Sequence, residues 1–340
     1  MNPALPVVGA LIVAGALFPP RSSRIAWLVF SVAATAALAP TLVRTDGVPG
    51  PVAMLAETAP WAQPESLREP FNSHLRDVIR EVYPWLLFLR SELRAGRLPF
   101  WSPDQFGGAP YWANGGAAPL FPLHLLFAIL PVQVGLTVLP WLRLLGAGLG
   151  AWVLASRLGC GSLGALVAGI AYELSGMVTG YALYPMGNAL ALVPWILLCT
   201  EAIAAESAGW PMLAVGVGIQ LLAGHPETVL HTAGLSVLYL GIRCGGGYLR
   251  QWTTLVTGWC VGFLLSGSHT VPTLWNLAAS DRWNGWVAGG RPDLMLILSL
   301  PFRLVLPNLF GDPGDGTWWG PFYSVSTAIY VGAMPLLLAA

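Results

Sequence analysis

The residues best suited to chemistry gather in the stretch 72–122, where Arg76, Asp77, Arg80 and Glu81 follow one another closely. Asp77 and Glu81 are four apart, so one face of a helix carries both carboxylates. Two carboxylates this close can share a divalent cation. Alternatively, one of them can have a raised pKa and act as a general base. Arg76 and Arg80 can meet a phosphate on the same surface. The plainer reading of the same four residues is a solvated face with an Asp77–Arg80 pair worth a few tenths of a kcal/mol.

Other polar groups lie further along. Asn114 and Asp104 are the main polar side chains of a segment after Gly96 that is rich in Pro, Gly and aromatic residues. Its Gly107-Gly108 and Gly115-Gly116 pairs permit tight turns or close backbone approach, and no GxxxxGK[ST] phosphate loop is present. Gly224-His225-Pro226-Glu227 marks the edge of an apolar run. Glu227 and His231 are four apart, able to hold a metal or simply to hydrogen-bond at an interface. Ser280-Asp281-Arg282 adds polar groups to a later segment. Glu173 stands alone inside the apolar run 161–183, where an ionisable side chain is costly unless satisfied; it is either functional or hydrogen-bonded to a Ser or Tyr of a neighbouring helix. His124 and His269, single polar residues in apolar surroundings, read as structural.

The elements that position these groups are set by composition. Charged residues are 9% of 340 and hydrophobic residues 55%, with a mean hydropathy of +0.65. A soluble domain carries about 25% charged residues, so the expected class is all-α: a polytopic transmembrane helical bundle. The apolar runs are long and unbroken, unlike the alternation of a membrane β-barrel. The net charge is zero, and no nucleic-acid partner is expected. Spans are expected over 4–20, 25–43, 134–156, 161–183, 188–205, 210–224, 228–242 and 252–272, with another opening near 325. Pro119, Pro122 and Pro131 make 119–131 a re-entrant or interfacial piece, and 294–310, with Pro301, Arg303 and Pro307, is similar. Three regions follow: 1–44 with two spans, 45–118 as an external loop, and 119–340 with about six or seven spans and an external segment over 273–324.

Within the loop, Leu75, Val78, Ile79, Val82, Leu86, Leu89 and Leu93 recur at helical spacing. An amphipathic helix over 74–95 is expected on the membrane surface, with Asn72 or Ser73 as its cap and a kink at Pro84. All basic residues are Arg. Arg21, Arg24, Arg157, Arg243 and Arg250 fall in short loops that alternate to one side, the cytoplasmic one. Asp77, His225 and Asp281 are then external. Cys160, Cys199, Cys244 and Cys260 form no CxxC pair, so neither disulfides nor a zinc site is expected. The amino terminus lacks a basic n-region, and no cleaved signal is expected. The chain stops inside the apolar run 330–340, so a C-terminal part of a longer protein is expected to follow.

Read together, these motifs resemble the YfhO-like family of bacterial membrane proteins, in the GT-C glycosyltransferase superfamily. The family's early loop has an Asp seven residues before a Pro-Trp pair, here Asp77 before Pro84-Trp85. It continues as Gly-x-x-Pro-x-Trp-x-Pro, Gly-Gly-x-Pro and Ala-Asn, here Gly96 to Pro103, Gly107 to Pro110 and Ala113-Asn114. Gly224 to Glu227, Ser280 to Arg282 and Tyr330-Val331-Gly332 match later positions in order. The likeness covers about 72–340. It departs in having two spans, rather than one, before the loop and in its shorter length.

The resemblance implies a multi-pass protein of the bacterial inner membrane with a GT-C-like fold. It would transfer sugar from a polyprenyl-phosphate donor to an envelope glycan or lipid acceptor on the external face. Asp77 matches the acidic catalytic position, as base or as ligand to a divalent cation shared with Glu81. From spacing, Arg76 and Arg80 would neutralise the phosphate. Glu81, Asn114, His225, Glu227 and Arg282 complete the expected substrate-binding set. The other reading is a non-catalytic membrane protein that binds or moves a lipid-linked glycan.

Overall fold

The computed structural model describes residues 2–17, 21–43, 52–64, 72, 75–105, 107–244, 248–281, 283, 294–303, 306, 308–311 and 317–320. Among them the fold is helical throughout, with a single isolated bridge, Ser102 to Ala109, and no strand. Arg282 and the apolar run from about 325 lie outside the described residues.

In chain order the helices are α1 (Leu5–Leu17), α2 (Arg21–Ala37), α3 (Ala39–Leu42), α4 (Tyr83–Arg94), α5 (Val132–Arg157), α6 (Ser162–Glu173), α7 (Gly176–Gly180), α8 (Met186–Ala204), α9 (Trp210–Leu222), α10 (Pro226–Cys244), α11 (Leu249–Ala278) and α12 (Leu294–Arg303). Three stretches are long and apolar enough to cross a membrane: Val132–Arg157, Ser162–Gly180 and Met186–Ala204. α1, residues 23–37 of α2, and α9 are shorter apolar helices. α10 and α11 are long but carry too much polar character to join the three. Large apolar side chains stay exposed along the helices, Leu163 at 75%, Ile242 at 77% and Leu264 at 74%. Water is a poor solvent for such a surface, and a bilayer a good one.

Proline and glycine decide where these helices differ from the bare apolar runs. The run 161–183 breaks after Glu173, where Leu174 and Ser175 leave the helix before α7 resumes. The piece 119–131 forms a 3-10 helix, Pro122–Ala128, whose opening Pro needs no hydrogen-bond donor. α11 runs on to Ala278, so the segment expected as external from 273 begins inside a helix. The amphipathic helix of the loop also starts irregularly. Val78–Val82 form a wide π-type turn, and only then does α4 begin, with Pro84 in its first turn. Pro84 has no N–H to give to the preceding turn, and the wider turn absorbs that missing bond where a kink was expected. Val82, Leu86 and Leu89 are buried, whereas Leu75 and Leu93 are only half-buried. The apolar face packs against Tyr111, Phe127, Val132, Leu136 and Leu139 and so is fastened to the helical core.

Successive helices run up and down. α5 packs on α6 and α8, α8 on α9 and α10, and α9 on α11. Trp141 of α5 donates to Thr35 Oγ1 at 3.1 Å, which sets the end of α2 beside the first half of α5. The starts of α2 and α11 and the ends of α5, α8 and α10 therefore share one end. There Glu201 accepts from Arg243 Nε at 2.9 Å, Arg243 Nη2 at 2.8 Å and Tyr239 at 2.8 Å. Arg157 donates to Ser207, and Arg250 pairs with Glu206. The loop arginines thus converge at one end, as their alternation along the chain predicts. Single cysteines placed at 24, 157 and 243 should react with a membrane-impermeant maleimide only after permeabilisation, and ones at 77 and 225 before it. Labelling of position 77 and position 243 from the same side would refute this orientation.

Candidate functional site

At the opposite end the chain builds a rim from residues distant in sequence. Trp85 of α4 donates to Gln105 Oε1 at 3.2 Å, and Tyr111 donates its hydroxyl to the Trp85 carbonyl at 2.8 Å. The Phe88 and Tyr111 rings stand 4.8 Å apart. Two short 3-10 turns follow, Tyr111–Ala113 and Gly115–Ala117. They are held against α11: Trp112 Nε1 donates to the Ser268 carbonyl at 2.8 Å, His269 Nδ1 bonds the Trp112 carbonyl at 2.9 Å, and Asn276 donates to the Ala113 carbonyl at 3.4 Å. Gly224 ends α9 at a φ of +83°, and a Cβ there would collide with the Gly115 carbonyl. Glycine is needed both for the backbone angle and for that approach. His225 then caps α10: its Nδ1 accepts from the Thr228 N–H at 3.2 Å and contacts Thr228 Oγ1 at 2.8 Å.

Between α10 and α11, with Leu221 of α9 beneath, lies a cleft of about 1000 Å³. That is the upper end of the size range of small-molecule sites. Asn114, His225, Glu227 and Asn276 are at its polar mouth, while Leu230, Phe263 and Leu264 supply apolar wall. Three residues singled out in the sequence, Asn114, His225 and Glu227, are therefore brought together although they come from two separate segments.

The acidic pair stands beside the cleft. Asp77, just before the wide turn, and Arg80 and Glu81, on it, are exposed. Trp85, one turn beyond Glu81, packs so close to Gly116 that a Cβ on that glycine would touch its ring, and Gly116 lines the cleft. Burial, and then the Asp77 carboxylate, push the Tyr184 hydroxyl well above its usual range, with smaller contributions from Tyr181 and Glu81. Burial and Glu227 raise Tyr181 in the same direction. The two rings are 5.9 Å apart. Arg76 is drawn elsewhere: its Nη2 donates to Glu57 at 2.9 Å. Among the described residues no three His, Cys, Asp or Glu gather as metal ligands. The four cysteines are free thiols.

Under the rim is a buried polar chain. Arg143, in the middle of α5 and 5% exposed, donates Nε to Asn188 Oδ1 at 2.6 Å and Nη1 to the Ala182 carbonyl at 2.7 Å. Asn188 meets His124 Nε2 at 3.4 Å, and His124 Nδ1 meets the Ala118 carbonyl at 2.9 Å. A carbonyl only accepts, so the proton sits on Nδ1 and Nε2 accepts from the Asn188 amide. Burial, then the Arg143 charge, push His124 down to about 3, and the ring is neutral. Arg143, like Glu173, is an ionisable residue deep in an apolar run, here 134–156, and is costly there unless satisfied. Glu173 itself is buried with neither carboxyl oxygen hydrogen-bonded. The expected hydrogen bond from a Ser or Tyr of a neighbouring helix is therefore not made among the described residues.

No family model, curated protein or solved structure matches this chain.

Proposed function

We propose that this chain is a GT-C-type membrane glycosyltransferase that moves a sugar from a polyprenyl-phosphate donor to a cell-envelope acceptor on the outer face of a bacterial inner membrane. The observation that carries the reading is the cleft: apolar walls fit a lipid, and its polar mouth opens beside the Asp77–Glu81 face. In the proposed reaction Asp77 takes the proton of an acceptor hydroxyl. The oxygen attacks the anomeric carbon, the bond from that carbon to phosphate breaks, and its electron pair leaves on the polyprenyl phosphate. Arg80, exposed near Asp77 in the sequence and free of the Glu57 pair that occupies Arg76, is the better placed cation to bind the donor phosphate.

A specific observation also favours a protein that binds or moves a lipid-linked glycan without chemistry: among the described residues Glu227 lines the cleft and Asp77 does not. Purified protein reconstituted with a radiolabelled polyprenyl-phosphate hexose and membrane glycolipids separates the two. Transfer of label to a glycolipid is expected, and Arg80→Ala should raise KM for the donor about tenfold with less effect on kcat. Saturable donor binding with no transfer would give the protein to the second reading.

A further inference from the structure

We propose that the cleft between α10 and α11 seats the acceptor, and that this acceptor is an uncharged glycolipid whose sugar hydroxyls meet the polar mouth. The inference rests on the transferase reading above and assigns one of its two lipid substrates to a place.

Charge is the first argument. The described residues lining the cleft include no arginine, the chain has no lysine, and Glu227 contributes a carboxylate. Among the described lining residues, a phosphate in that mouth would face the like charge of Glu227 and no arginine, an arrangement that raises the cost of taking an anion out of water. The other polar groups are neutral amides and hydroxyls, which suit a sugar as both donors and acceptors.

Unused hydrogen-bonding capacity is the second. Thr273 is 9% exposed, lines the cleft, and its Oγ1 has no partner. Trp259 lines the apolar part, and its Nε1 is likewise buried without a partner. Buried groups of this kind are rarely left unpaired, and a sugar hydroxyl at the mouth would satisfy Thr273. The third argument is access. Leu230 on α10 and Leu264 on α11 are 65% and 74% exposed and flank the opening, so a lipid chain can enter sideways while its head stays at the mouth. The donor phosphate is left to Arg80, which does not line the cleft.

The test is lipid retention by the full chain, read by native mass spectrometry from detergent micelles. The probes are glucosyl-diacylglycerol, phosphatidic acid with the same acyl chains, and undecaprenyl phosphate. Wild type is expected to hold the neutral glycolipid about tenfold better than phosphatidic acid. Thr273→Val keeps the shape and loses the hydroxyl; it should weaken glycolipid retention by about fivefold, the scale of one hydrogen bond. Ala233→Trp, and independently Leu230→Trp on the exposed flank, should fill the cleft and abolish glycolipid retention while undecaprenyl phosphate still binds. Circular dichroism identifies which filled variants are folded. If the filled cleft loses undecaprenyl phosphate and keeps the glycolipid, the assignment is overturned although the transferase reading stands. If folded Ala233→Trp and Leu230→Trp both hold glycolipid as wild type does, the cleft is not its seat. Glycolipid retention that follows these expectations in a protein with no transfer would support the site and remove only the transferase reading.

Discussion

Replacing Asn188 with leucine is expected to destabilise the protein by about 3 kcal/mol, the scale for stranding a buried charged donor. Asn188 takes the Arg143 Nε at 2.6 Å and offers its amide to His124 Nε2 at 3.4 Å. Leucine has nearly the same volume but can do neither. Arg143 would keep the Ala182 carbonyl alone, and the His124 lone pair would face an apolar group. Arg143→Met in the same background removes the stranded charge. The double variant should therefore be less damaged than the two single losses added together, the non-additivity expected of groups in contact. Unfolding in detergent with increasing denaturant measures all three. Asn188→Leu at wild-type stability would mean that the chain of bonds contributes nothing.

The same network has a pH signature. His124 is held neutral, near 3, where an ordinary histidine titrates near 6.5. The unfolded chain takes up a proton below about 6.5 that the folded chain refuses until far lower. Stability is therefore complete above about pH 6.5 and falls as the pH drops towards 3, with a slope of at most about 1.4 kcal/mol per unit. In His124→Gln that slope should be missing.

These groups show what can and cannot be read from the chain alone. The helices α5, α8 and α9 follow long apolar runs, so their existence is plain, and the Arg-bearing ends of α2, α5 and α10 do converge. The break after Glu173 and the wide turn before Pro84 are local backbone solutions that hydrophobic period does not encode. The mouth of the cleft depends on Gly115 meeting Gly224 and on Trp112 meeting Ser268, contacts across more than a hundred residues. Asn114, His225 and Glu227 were each recognisable by type at the edge of an apolar run or in a glycine-rich loop. Their meeting was not, because it is made by backbone packing. Arg76 was read as a phosphate ligand from its neighbours in sequence, but the Glu57 carboxylate, nineteen positions back, reaches it.

Asp77→Asn should leave fold and donor binding nearly unchanged and lower turnover by about 10²-fold or more, the usual contribution of a general base. The substitution is close to isosteric and lies on an exposed turn, so the loss would report charge and basicity rather than packing. Glu227→Gln serves as the contrasting variant. On the arrangement proposed here Glu227 meets the acceptor's hydroxyls in ground state and transition state alike, and its loss should raise the acceptor KM while kcat is retained. The reverse outcome is equally informative. Full turnover in Asp77→Asn together with a dead Glu227→Gln would move the base into the cleft itself and leave Asp77 and Glu81 as a solvated face.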